Sequence, residues 1–226
     1  TEIFRAGGIV MVPLLLFSRH WMGAFEFDDQ ENVANAVSAL WGGMFTVLSF
    51  LTTTGFESTA WSDAQNWSGL GTPGLILLGL ALVGGGVATT AGGVKLLRVY
   101  ALYLNGRREL EKLVHPSSMG NASGSSRRIR REGAFIAWVI FMQFALSLAL
   151  ITVILAFLGQ DFEAAIVLAI AALSTTGPLI DSATPDTITL LDIGAPAKIV
   201  LCIAMVLGRL ETLGLIALIN LRVWRT

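Results

Sequence analysis

Leu-Thr-Thr-Thr-Gly-Phe-Glu-Ser at residues 51–58 returns in altered form at residues 173–181 as Leu-Ser-Thr-Thr-Gly-Pro-Leu-Ile-Asp, and each copy closes an apolar run too short to cross a membrane. A dehydrated alkali cation needs several oxygens around it. A short Thr/Gly-rich backbone can turn consecutive carbonyls towards one axis with no bulky side chain between them. Both stretches are therefore expected to be selectivity-filter loops, the backbone oxygens of Thr53, Thr54 and Gly55 being matched by those of Thr175, Thr176 and Gly177. The plainer alternative is that each glycine only ends a helix, as C-terminal glycines commonly do.

Outward from these loops the chain is apolar. Of its 226 residues, 54% are hydrophobic and 14% charged, and the mean hydropathy of +0.71 places it in a bilayer rather than among ordinary globular domains. The net charge of −1 favours no nucleic-acid partner, so the distribution of charge is more telling. Between Arg19 and Lys95 there is no Lys or Arg while Glu26, Asp28, Asp29, Glu31, Glu57 and Asp63 occur; the same holds between Arg131 and Lys198 with Asp161, Glu163, Asp181, Asp186 and Asp192. Bases crowd instead into Lys95, Arg98, Arg107, Arg108, Lys112 and the 127–131 cluster, and Arg222 and Arg225 close the chain. The positive-inside rule puts residues 105–132 and the C-terminus in the cytoplasm and the acidic segments outside. The lone Cys202 lies in an apolar run, where a buried thiol is the default, and supports neither a disulfide framework nor a cysteine metal site. The opening apolar stretch, interrupted by Pro13, is short for a spanning helix, and with no initial Met it reads as a truncated start.

The fold class expected is an all-α membrane protein of two units. Residues 1–104 supply a first membrane segment over 3–22, a short helix and filter over 31–58, and a long apolar helix over 73–104. That last helix is broken, because Gly84-Gly85-Gly86 and Gly92-Gly93 bracket residues 87–91. Non-helical backbone at membrane depth survives only where protein or a water-filled cavity satisfies its amides. The break thus faces a permeation path, or else its glycines serve close helix packing. Residues 105–132 form a charged, Gly/Ser-rich cytoplasmic connector. Residues 133–226 repeat the scheme: a spanning helix over 133–158, a short helix and filter over 161–181, and a final span over 195–222. The internal period is 122 residues, the separation of Gly55 and Gly177. In each unit the short helix aims the negative end of its dipole at a central cavity, where it favours a cation. Trp61 is expected at the lipid interface and Trp41 in the packing of the first short helix.

Three motifs together resemble the bacterial Trk/Ktr potassium-uptake family, in particular its TrkH-type membrane subunit. Thr53-Thr54-Gly55-Phe56 is similar to that family's third filter, residues 84–95 to its Gly-rich intramembrane loop, and Gly208-Arg209-Leu210-Glu211 to the signature of its last helix. The resemblance implies four membrane helix–pore loop–membrane helix repeats around one pore, of which this chain carries the third and fourth, the C-terminal half. It implies potassium as the substrate at the filter carbonyls, and closure of the pore by a missing N-terminal half or a second copy. It further implies a homodimer in the bacterial inner membrane beside a cytosolic nucleotide-binding regulatory subunit, with membrane lipid around it and no cofactor in this chain. Arg209 would hold the loop containing Gly84, Gly85, Gly86, Thr89, Thr90, Gly92 and Gly93 across the inner pore as a gate. The sequence departs from the family where Pro178 and Leu179 follow Gly177, since a second glycine is common there.

Arg209 and Glu211 are the ionisable residues of the final span and call for a cavity or a partner; snorkelling of Arg209 to the cytoplasmic side is the alternative. Lys95 either repels cations at the gate or anchors the interface. His20 and His115 are far apart and suggest no metal site. No Ser/His, Cys/His or metal-ligand constellation falls within the spans, which disfavours an intramembrane hydrolase; a non-conducting structural or regulatory membrane subunit is the competing reading.

Overall fold

An apolar helix of 13 residues is about 20 Å long, well short of a hydrocarbon core of roughly 30 Å, so it must find protein partners around it. The architecture follows from that need. The computed structural model describes residues 30–62, 73–86, 91–114, 124–183 and 188–209. These form helices α1 (Gln30–Leu51), α2 (Pro73–Leu82), α3 (Leu96–Val114), α4 (Gly124–Phe157), α5 (Phe162–Ser174), α6 (Leu179–Ala183) and α7 (Ala195–Arg209), with no strand among the described residues.

Helix α5 is the hub. Every residue from Val167 to Ser174 is buried, and α4, α7 and α2 pack round it. Ala165, Ala169, Ala171 and Ala172 let those neighbours approach closely. Helix α4 contains the one described stretch long and apolar enough to cross a membrane, Gly133–Phe157. Its outer face exposes Phe135, Trp138, Leu146, Leu150, Val153 and Phe157, a surface that hydrocarbon solvates without penalty. Helix α2 completes the centre by packing on α1, α5 and α6. Its approach to α6 is so close that a Cβ built on Gly74 would lie 2.1 Å from the Ala183 carbonyl oxygen.

Several boundaries and side chains differ from expectation. The 105–132 stretch is less of a loop than its polar composition predicts, since α3 continues to Val114 and α4 begins at Gly124. Its Arg, Glu, Lys and Leu residues are good helix formers, and Arg107 pairs with Glu111 one turn on, at 3.3 Å. Trp61 is buried rather than interfacial, whereas Trp41 lies exposed on α1. Cys202 is exposed on α7, not buried. In an apolar helix, hydropathy alone does not separate the protein-facing side from the lipid-facing one. The 3–22 segment, Thr89, Thr90, Glu211, His20, His115 and the final helix beyond Arg209 lie outside the described residues.

Candidate functional site: two Thr-Thr-Gly hairpins and a glycine loop

Helices α1 and α5 end in the same way. The Thr53 N–H donates to the Phe50 oxygen at 3.1 Å and the Thr54 N–H to the Ser49 oxygen at 2.9 Å. In the second hairpin Thr175 donates to Ala172 at 3.2 Å and Thr176 to Ala171 at 3.0 Å. Every donor and acceptor in the second set lies 122 residues after its counterpart in the first. Both are Schellman closures, which need a left-handed residue at the turn, and in both that residue is threonine, at φ 57°. A β-branched residue in that region is a genuine outlier, costing about 1–2 kcal/mol. Such strain persists only where the surroundings impose it, and it concentrates at functional positions. The glycines are therefore not the helix caps: Thr53 and Thr175 do the capping, and Gly55 and Gly177 lie two residues beyond.

Past the caps the hairpins diverge. Residues 54–58 run on without regular structure, and among the described residues no hydrogen bond reaches the carbonyl oxygens of Thr53, Thr54 or Gly55. The Thr52 hydroxyl turns back to the Leu48 oxygen at 3.0 Å and meets the Thr54 hydroxyl, also at 3.0 Å. The Ser58 N–H donates to Thr46 Oγ1 at 3.2 Å and ties the outgoing chain to α1. In the second hairpin the chain turns at once into α6. The Thr176 oxygen accepts from the Leu179 N–H and the Gly177 oxygen from the Ile180 N–H, both at 3.2 Å. Only the Thr175 oxygen of that triplet lacks a hydrogen bond among the described residues. The expected equivalence of the two carbonyl sets thus fails at Thr176 and Gly177. Pro178 is the cause, because its fixed φ is pre-organised for a helical first turn that draws these oxygens in.

The two glycines diverge too. Gly55 has φ 83° and lies against the second hairpin, where a Cβ would come within 2.7 Å of Thr176 Cγ2 and 3.1 Å of Pro178 Cδ. Gly177 is exposed, has no left-handed φ, and a Cβ there would meet nothing within 4 Å. Gly177→Ala is accordingly expected to fold and to transport within about twofold of the parent, as read by ion uptake into vesicles. In the helix leading to the first hairpin, the buried Ser49 Oγ has no hydrogen-bond partner among the described residues. Ser49→Ala is expected to leave the unfolding midpoint in detergent unchanged or raised by the equivalent of about 1 kcal/mol, since it removes an unsatisfied polar group.

The glycine loop touches both hairpins. Helix α2 stops at Leu82 and α3 starts at Leu96, so the break is present. The Val94 N–H donates to the Leu82 oxygen at 2.9 Å and the Leu96 N–H to the Gly85 oxygen at 3.2 Å, pinching the loop at its base. The Gly85 N–H then reaches the Leu51 oxygen at 2.9 Å, and the Gly93 N–H reaches the Leu173 oxygen at 3.3 Å. Leu51 and Leu173 were not singled out by sequence, although the shared Leu-(Thr/Ser)-Thr-Thr-Gly pattern placed them at equivalent positions. A Cβ on Gly84 would lie 2.5 Å from Thr53 Cγ2, and one on Gly92 2.5 Å from the Leu173 oxygen. Gly86 lies at the near edge of the loop, and Lys95 is half-buried with its carbonyl accepting from the Arg98 and Val99 amides of α3.

Helix α7 also brings up Gly208, whose Cβ would sit 2.1 Å from the Leu173 oxygen. Arg209, the next residue and the last of α7 described, is exposed. Among the described residues no hydrogen bond joins Arg209 to the loop; the glycine beside it makes the close approach.

A profile of the TrkH family, described as "Cation transport protein", matches residues 9–222. The chain is 31% identical over 183 residues to the Trk system potassium uptake protein TrkH of Vibrio parahaemolyticus, covering 81% of this chain and 36% of that protein. It is 29% identical over 192 residues to the Trk system potassium uptake protein TrkH of Escherichia coli K12, covering 85% and 38% respectively. The crystal structure of the potassium transporter TrkH from Vibrio parahaemolyticus superposes on it with a TM-score of 0.74 at 27% identity, over 99% of this chain and 44% of that one. The chain therefore spans less than half the length of the relatives it matches.

Proposed function

Because the chain belongs to the TrkH family of cation transport proteins, we propose that it forms part of a potassium-uptake pathway in a bacterial cytoplasmic membrane. Its two hairpins would line part of a pore closed by further repeats or by another copy. The observation that carries this reading is the pair of strained threonines: two β-branched residues at φ 57°, held by equivalent closures 122 residues apart. Packing alone gives no reason to place threonine twice where glycine is favoured.

The backbone oxygens of Thr53, Thr54, Gly55 and Thr175 are the coordinating groups in this proposal. Thr176, whose methyl lies against Gly55, serves by shaping the second hairpin against the first, and the Gly177 oxygen anchors the turn into α6. The membrane potential supplies the drive, about 2.3 kcal/mol per charge per 100 mV. The loop at Gly84, Gly85, Gly86, Gly92 and Gly93, with Lys95 and Arg209 at its margins, forms the inner constriction; a homodimeric assembly and a cytosolic nucleotide-binding regulator complete the system. The chain itself acts by conduction rather than by chemistry and carries no cofactor.

One feature favours the competing reading of a non-conducting structural subunit, namely the engagement of the Thr176 and Gly177 oxygens by α6. Rubidium uptake into vesicles from cells expressing the complete reading frame decides between them. Potential-driven uptake above that of vesicles lacking the protein is expected; uptake equal to that background rejects the proposal.

A further inference from the structure

We propose that the amides of Gly85 and Gly93 are positioning groups for ion selectivity, one loop tying together the two hairpins that precede the ion path. The inference rests on the conducting role above. A helix leaves its last carbonyls without intrahelical partners, and at membrane depth no bulk water replaces them. Leu51 and Leu173, both buried, are the residues from which the two Schellman turns spring. Each carbonyl takes an amide from the same loop, Gly85 at 2.9 Å and Gly93 at 3.3 Å.

Both donors stand in left-handed backbone, at φ 80° and 77°. An L side chain at either position resists that conformation and would swing the amide off its acceptor. The loop is also pinched at its base by the Val94–Leu82 and Leu96–Gly85 hydrogen bonds, so its two ends do not shift independently. Contacts beside each amide strengthen the tie, since Gly84 abuts the Thr53 methyl and Gly92 the Leu173 and Ser174 backbone. A displacement of either glycine is passed to the threonine two residues past the tethered carbonyl, where the filter oxygens begin. Gly84, Gly85, Gly92 and Gly93 hence belong to the selectivity apparatus and not solely to a constriction below it.

The test reads a ratio rather than a rate. Rubidium and sodium uptake are measured in vesicles from cells expressing the complete reading frame with Gly85→Asn, Gly85→Ala, Gly85→Val or Gly93→Ala, and with Gly79→Ala as control. A Cβ at Gly79 meets nothing within 4 Å. Asparagine tolerates left-handed backbone best and valine worst. The rubidium-to-sodium ratio is expected to fall in the order Asn, Ala, Val, reaching roughly 3- to 10-fold, the equivalent of one lost hydrogen bond. Gly79→Ala keeps the parent ratio. Variants that insert and transport both ions more slowly at an unchanged ratio overturn the inference while leaving the conducting role intact. So does failure of all four loop variants to insert, which would make the glycines elements of folding. A parent protein that conducts neither ion rejects the conducting role itself.

Discussion

Gly55→Val is expected to abolish rubidium uptake, with a loss on the order of 100-fold in vesicles containing normal amounts of inserted protein. Two penalties coincide there. Gly55 stands at φ 83°, a region in which an L residue costs about 1–2 kcal/mol and a β-branched one more. The new Cβ would also fall 2.7 Å from Thr176 Cγ2 and 3.1 Å from Pro178 Cδ, an overpacking that costs about 1–3 kcal/mol in a well-filled site. The strain is relieved most cheaply by moving the segment after Thr53, where among the described residues no hydrogen bond reaches the Thr54 or Gly55 carbonyls. Since about 1.4 kcal/mol is tenfold, the two penalties together correspond to the loss named. Normal uptake by inserted Gly55→Val protein would show that these oxygens do not face the ion path.

The second large effect is structural. Gly208→Val is expected to destabilise the packing of α7 on α5 by about 3 kcal/mol, seen as a lowered unfolding midpoint in detergent and as new protease cuts within α7. A Cβ at this position would lie 2.1 Å from the Leu173 oxygen and 2.8 Å from its carbonyl carbon. These are main-chain atoms in the buried C-terminal part of α5, whose Leu173 oxygen already accepts from the Gly93 amide. Neither can retreat, so α7 must move as a whole. A parental midpoint for Gly208→Val would mean that α7 does not approach α5 so closely. This effect differs from that of Gly55→Val, which is expected to leave the protein folded and stop conduction.

The motifs around which the candidate site is built are legible in the sequence. The Thr-Thr-Gly motif at Gly55 and Gly177 and the interruption between residues 83 and 95 follow from composition and spacing. Helices end just before both motifs and around that interruption, although the first of them, at 22 residues, is longer than the short helix expected. What spacing did not disclose was how alike sequences end differently. Leu51 through Gly55 and Leu173 through Gly177 match almost residue for residue, yet the carbonyls of Thr176 and Gly177 are drawn into α6 while those of Thr54 and Gly55 are not. The signal was one residue, Pro178, visible as a departure from the family pattern; its consequence depends on a following turn that a local motif does not contain. Trp41 lies exposed on α1 because every face of an apolar membrane helix carries similar residues, and Trp61, past the first hairpin, is buried where an interfacial position was expected.

By itself the sequence determined an all-helical membrane chain, the twice-used Thr-Thr-Gly motif and a glycine-rich interruption between residues 83 and 95. These depend on hydropathy, chain reach and backbone freedom, all local properties. Only the tertiary structure decided that threonines, not glycines, close the two short helices, and that Gly85 and Gly93 offer their amides to Leu51 and Leu173. Which acceptor an amide finds depends on segments far apart in the chain, and at membrane depth every such group needs a partner within the protein.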